Sequence, residues 1–260
     1  MMTVTQLAAK KSAGEKICML TAYDFPTAAL LDEIGVDVLL VGDSLSMVVQ
    51  GHEDTLPVTL DQMIYHAEIV GRAVNKALVV VDLPFPTFHL GTAAAVESAA
   101  RILKETRCRA VKLEGGTDQA DVIQAMVSAG IPVMAHCGLR PQSVHALGGY
   151  KVQRDEEILM ADATSAQQAG AFAVVLECIP TDLATRISQS LTIPTIGIGA
   201  GSGCDGQVLV THDLLGLTAG RVPKFAKQFA NLRESITEAV TQYCREVHSG
   251  EFPDEKHSYK

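Results

Sequence analysis

Ala110-Val111-Lys112-Leu113-Glu114-Gly115-Gly116 is a short apolar run that carries two charges and stops at a glycine pair. The helix-forming pattern at 118–129 follows it, so the segment reads as strand, turn and helix. Lys112 and Glu114 are two residues apart and point to the same face of such a strand. The layout recurs along the chain. Val38-Leu39-Leu40-Val41-Gly42-Asp43, Leu78-Val79-Val80-Val81-Asp82, Ile131-Pro132-Val133-Met134-Ala135-His136 and Phe172-Ala173-Val174-Val175-Leu176-Glu177 each end on a residue able to bind a metal or move a proton. Thr195-Ile196-Gly197-Ile198-Gly199 ends on glycine instead. In a barrel of parallel strands these carboxyl ends converge on one mouth, where the chemistry sits.

The same alternation extends in both directions. Ile17–Thr21 is the first strand, with a helix at 26–34 after it, and strands seven and eight fall at 194–198 and 207–210. Further helices are expected at 60–74, 92–105, 118–129 and 155–169. A long loop at 44–59 follows the second strand, and loops of more than about 12 residues in a compact domain are usually functional. The first dozen residues are expected to cap the barrel floor as an extra helix. A last amphipathic helix is expected at 233–247 and a polar tail at 249–260. The expected fold is α/β: one (β/α)8 TIM barrel over 1–260, with the extra N-terminal helix and a C-terminal helix plus tail. A length of 260 residues suits that fold as a single domain.

Composition removes several functions. A net charge of −9 argues against nonspecific nucleic-acid binding, which depends on clustered Lys and Arg. No apolar run approaches the roughly 18 residues of a membrane span. The opening Met1-Met2-Thr3-Val4 lacks the basic-then-apolar layout of a secretion signal. Six scattered cysteines without paired spacing read as free thiols. A cytoplasmic enzyme is expected.

Asp43, Asp82, Glu114 and Glu177 brought to one mouth would repel one another, and a divalent cation is the simplest remedy. Mg2+ takes about six oxygen ligands and commonly keeps several waters, so one or two carboxylates suffice. Asp43 and Asp82 are the best ligands, with Glu114 bound directly or through water. The competing reading is that these aspartates cap the following helix or turn. Zinc fits poorly, since no HxxxH or Cys cluster exists. His136 reads as an orienting hydrogen-bond partner. For Lys112, a solvated ion pair with Glu114 and a Schiff-base role are the alternatives to substrate binding.

The chain resembles the ketopantoate hydroxymethyltransferase family over nearly its whole length. The resemblance rests on Thr21-Ala22-Tyr23-Asp24, Val41-Gly42-Asp43-Ser44-Leu45, Gln50-Gly51-His52 and Thr55-Leu56-Pro57-Val58-Thr59. It continues through Asp82-Leu83-Pro84-Phe85, Val111-Lys112-Leu113-Glu114-Gly115-Gly116, Gly148-Gly149-Tyr150-Lys151-Val152-Gln153 and Leu176-Glu177-Cys178-Ile179-Pro180. It ends with Gly197-Ile198-Gly199-Ala200-Gly201, Asp205-Gly206-Gln207 and Pro223-Lys224-Phe225. The family implies a (β/α)8 barrel, Mg2+ or another divalent cation, and a ring-based homo-oligomer such as a homodecamer. It also implies 3-methyl-2-oxobutanoate as the 2-oxo acid and 5,10-methylenetetrahydrofolate as one-carbon donor, in pantothenate and coenzyme A synthesis. By motif, Asp43 and Asp82 resemble its metal ligands, Glu114 an inner- or outer-shell one, Ser44 and Lys112 its keto-acid-binding residues, and Glu177 its proton acceptor. His136 is expected to hydrogen-bond the bound keto acid.

Four departures stand out: Ser46 where the family often has glycine, Cys137 and Arg140 after the strand-five histidine, and a shortened loop after Gln153. Two other readings stay open. One is a folate-independent, metal-dependent 2-oxo acid lyase or mutase on a similar barrel, and the other is a noncatalytic keto-acid sensor.

Overall fold

Strands β1 (Ile17–Thr21), β2 (Val38–Val41), β3 (Leu78–Asp82) and β4 (Ala110–Glu114) lie side by side, all parallel. They continue into β5 (Val133–Gly138), β6 (Ala173–Glu177), β7 (Thr195–Ile198) and β8 (Gly206–Leu209), and β8 closes onto β1. The eight-stranded closed barrel of this computed structural model is the (β/α)8 fold expected from the sequence. The structure describes residues 1–220 and 222–260 and divides into two compact units, Met1–Val210 and Thr211–Lys260.

The barrel unit carries α1 (Val4–Ala13), α2 (Phe25–Ile34), α3 (Leu45–Val48), α4 (Leu60–Ala73), α5 (Thr92–Glu105), α6 (Ala120–Ser128), α7 (Glu156–Gln168) and α8 (Thr181–Ser190). Local chemistry sets their ends. Asp24 accepts the Thr27 amide at the start of α2, and Gly35 in the left-handed region stops that helix. Thr59 and Gln62 form a reciprocal capping box at α4. The second unit holds α9 (Thr211–Leu214) and α10 (Leu232–Ser249). Among the described residues no helix is long and apolar enough to cross a membrane.

Helix α8 was not anticipated from the sequence, although Leu183, Ala184 and Ile187 form its buried stripe. The loop at 44–59 also differs from a plain loop by containing α3. Ser46 lies in that turn, fully buried, and its Oγ donates to the Asp54 carbonyl at 2.7 Å. The departure from glycine therefore pins the loop to itself. Ser46→Ala is expected to cost about 1 kcal/mol through the lost hydrogen bond. Thermal unfolding should show a Tm lower by roughly 2–4 °C; an unchanged Tm would deny the hydroxyl this role.

Alternate strand residues fill the barrel. Ile17, Met19, Val38, Leu40, Leu78, Val80, Ala110, Met134, Ala173, Val175, Ile196 and Val208 form one buried cluster, with Leu7 of α1 packed into it. The N-terminal helix therefore caps the barrel as expected. Two residues beyond Val80, Ala110, Met134 and Val175 stand Asp82, Lys112, His136 and Glu177. The period of two that buries the apolar side chains carries these polar groups to the inside at the strand ends.

Candidate active site

Register assembles the site. Asp82 lies opposite Lys112, and Glu114 opposite His136. Asp43 follows β2 through Gly42, where an added Cβ would sit 3.0 Å from Ser44 Oγ and 3.5 Å from Asp82 Oδ2. That close approach lets the Asp43 amide donate to Asp82 Oδ2 at 3.0 Å. Gly138, at φ +98°, passes directly over the Glu177 carbonyl, and a side chain there would collide with it.

Lys112 is buried and pairs with Asp82 Oδ1 at 3.0 Å, not with Glu114 on a solvated face. Burial pushes its ammonium down, but Asp82, Asp43 and Glu114 more than offset this and hold its pKa above the ordinary value. The pairing with Asp82 favours the charged ammonium over the free amine that a Schiff base needs. Lys112 Nζ also stands 3.2 Å from His136 Nδ1. An ammonium only donates, so Nδ1 accepts and the imidazole proton sits on Nε2. Burial and the Lys112 charge keep that ring neutral, with its pKa well below the usual range. His136 Nε2 lies 3.1 Å from Glu177 Oε2, close but not aligned into a hydrogen bond. Glu177 itself is pushed up by burial to about 7, with Lys112 pulling the other way.

The other carboxylates are crowded. Asp82 is pushed up to about 7, by burial first and then by Asp43, against the pull of Lys112. Asp43 and Glu114 are raised for the same chief reason, burial. Neither aspartate caps a helix. Asp43 Oδ2 accepts from Gln142 Nε2 at 2.8 Å, and Asp82 is followed by Leu83 and Pro84 with no helix. Ser44 stands at the start of α3 without a capping bond, and its Oγ pairs with the Tyr23 hydroxyl at 2.7 Å.

These residues fit a hard cation. Three buried carboxylates share one ammonium, and the buried Glu114 Oε1 has no hydrogen-bond partner among the described residues. All the charged acceptors are oxygens, the donor set of Mg2+. No group of three His, Cys, Asp or Glu among the described residues forms a ready metal cage. Two aspartates completed by substrate oxygens and water match that arrangement.

Of the departures, Cys137 is buried with its thiol directed at the Gly115 carbonyl, and Arg140 pairs with Asp118 at 2.6 Å. The chain after Gln153 runs straight into the Asp155 cap of α7, while the Gln153 amide donates to the Cys178 carbonyl. All six cysteines are free, with Cys18 and Cys244 exposed. Gln142 escaped the sequence reading altogether. Its Pro-Gln-Ser context resembles any polar turn, and nothing local marks it.

Comparison with solved structures agrees on the fold. Phosphonopyruvate hydrolase in complex with oxalate and Mg2+ superposes with a TM-score of 0.66 at 12% identity, covering 99% of this chain and 93% of that one. The trigonal crystal form of 2,3-dimethylmalate lyase, a PEP mutase/isocitrate lyase superfamily member, gives 0.64 at 17% identity, over 99% and 89%. Sequence relatives are nearer. The 3-methyl-2-oxobutanoate hydroxymethyltransferase of Rhodopirellula baltica is 59% identical over 258 residues, 99% of this chain and 96% of the relative. That of Desulforapulum autotrophicum is 56% identical over 258 residues, 99% and 98%. The family model for ketopantoate hydroxymethyltransferase matches residues 1–255, so the barrel and its acid-lined mouth have a family: this chain belongs to the ketopantoate hydroxymethyltransferases.

Proposed function

We propose that the chain transfers a hydroxymethyl group from 5,10-methylenetetrahydrofolate to 3-methyl-2-oxobutanoate, giving 2-dehydropantoate and tetrahydrofolate. The observation that carries this reading is Glu177: a carboxylate with its pKa lifted to about 7, in a mouth that also presents Asp43, Asp82 and Lys112. Asp43 and Asp82 would hold Mg2+, with Glu114 reaching it through water, and the cation would polarise the substrate ketone and stabilise negative charge on its oxygen. Lys112 supplies the fixed positive charge for the substrate carboxylate, and Ser44, steadied by Tyr23, a hydroxyl beside it. His136, neutral and held by Lys112, offers its Nε2 proton at the same mouth.

Glu177 removes the C3 proton. C3 then bonds to the methylene carbon of the folate in place of one of its two carbon–nitrogen bonds, and a water oxygen replaces the other as a hydroxyl. The proton taken from C3 by Glu177 and one proton of the water end on the two released folate nitrogens. Tetrahydrofolate leaves. With a pKa near neutrality, Glu177 is a better base than an ordinary glutamate at roughly 4.3 yet still ionised enough to act.

Exchange at C3 of 3-methyl-2-oxobutanoate in D2O, followed by NMR with Mg2+ and without folate, should proceed and stop on adding EDTA. Net product should form only when methylenetetrahydrofolate is supplied; product without folate would favour a lyase or mutase. A ring-based homo-oligomer, such as a homodecamer, is the assembly we propose. It is supported by α10, where Ile236, Val240, Tyr243 and Val247 form an exposed apolar stripe at helical spacing and no residue is buried.

A further inference from the structure

Gln142 sits in the turn Pro141–Ser143 after β5, more than nine-tenths buried, and reaches across the mouth to three other strand ends. Its side-chain Nε2 donates to Asp43 Oδ2 at 2.8 Å and to the Leu83 carbonyl, next to Asp82, at 3.0 Å. Its backbone amide donates to Glu114 Oε2 at 3.0 Å. Both contacts of Nε2 are to oxygen acceptors, which use its two hydrogens and fix the orientation of the amide. The side-chain oxygen must then point away from Asp43, and it is buried without a hydrogen-bond partner among the described residues.

The geometry points to Gln142 as the positioning residue of the cation site, an inference that rests on the reading of Asp43 as a metal ligand. One amide holds the Asp43 carboxylate and the backbone after Asp82 together, and so sets the spacing of the two proposed ligands. By occupying Oδ2 it leaves Oδ1 for the cation. A neutral donor suits this place because it orients the carboxylate without cancelling its charge; a lysine or arginine there would compete with the metal. The unpartnered Oε1 is an acceptor open to a donor that enters with the loaded site, such as a water. A purely packing residue would have no reason to bury it.

Binding of Mn2+ alone, without keto acid or folate, tests this by titration calorimetry on the full chain. Gln142→Leu keeps the backbone amide on Glu114 and removes only the side-chain bonds. It is expected to weaken Mn2+ by about 10-fold or more, the range seen when a partner of a metal ligand is lost. Its urea midpoint is expected to fall with the two buried hydrogen bonds it loses, so Mn2+ is titrated in the absence of urea, where circular dichroism shows the variant fully folded. Gln142→Asn, which keeps an amide one methylene too short to span the mouth, should weaken Mn2+ likewise, and it serves as the test if the leucine variant does not fold. Asp43→Asn is measured in parallel and should abolish binding. Loss in Asp43→Asn with unchanged affinity in the Gln142 variants would overturn the positioning role alone. Unchanged affinity in Asp43→Asn would overturn the metal-ligand reading and this role with it.

Discussion

Glu177→Gln is expected to lower turnover by ~10²-fold or more while leaving Mg2+ and keto-acid binding near the parent values. The amide keeps the size and much of the polarity of the carboxylate but cannot take a proton from carbon. Nothing in the mouth replaces it: Asp82 is paired with Lys112, and His136 is neutral with its only basic nitrogen turned to that ammonium. The same argument gives a pH profile. A base works only when deprotonated, and Glu177 is pushed up to about 7, so the parent rate should fall as pH drops below that value and level off above it. Exchange at C3 in D2O reads the proton step directly. Equal loss of binding and rate in the variant would make Glu177 a structural residue.

Lys112→Met should be the most damaging change to the folded protein. It removes the ammonium that faces Asp43, Asp82 and Glu114, all buried, and replaces it with a side chain of similar length. Breaking a buried ion pair from one side costs about 3–5 kcal/mol, because the remaining charge is left uncompensated. The sign of the pH effect follows. These carboxylates already have pKa values raised above the unfolded range, and without Lys112 they rise further. The folded state then binds more protons than the unfolded one between about pH 4 and 8, so its stability falls as pH rises through that window. Urea unfolding at pH 5.5 and pH 8 should show the larger loss at pH 8. Equal losses would mean that methionine packing, not charge, is responsible. The Michaelis constant for the keto acid should rise by about 10²-fold, in line with the loss of a buried charge-assisted hydrogen bond.

The strand ends were legible because one rule serves two purposes. Alternation that buries Val80, Ala110, Met134 and Val175 also fixes where Asp82, Lys112, His136 and Glu177 point. A reader of the sequence can therefore place the polar groups from the apolar ones. Contacts that cross the mouth have no such rule. Gln142 touches Asp43 and Leu83 from a turn distant in sequence, and only closure of the barrel brings them together. Helix α8 escaped for another reason: its apolar stripe is short and set among Thr, Asp, Arg, Ser and Gln, so packing rather than composition decides it.

The seam where Ile17 meets Gly206 has a bearing on how the protein is made. β1 emerges from the ribosome early, and its second neighbour does not exist until most of the chain has followed. Until then β1 and the latest strand both present open edges of unpaired backbone groups, ready to pair with another nascent chain. A polypeptide cut off before Gly206 keeps those edges permanently, along with every acidic residue of the mouth. Such fragments should be aggregation-prone remnants rather than weak enzymes, and synthesis of the last strand is the moment at which the molecule becomes safe as well as active.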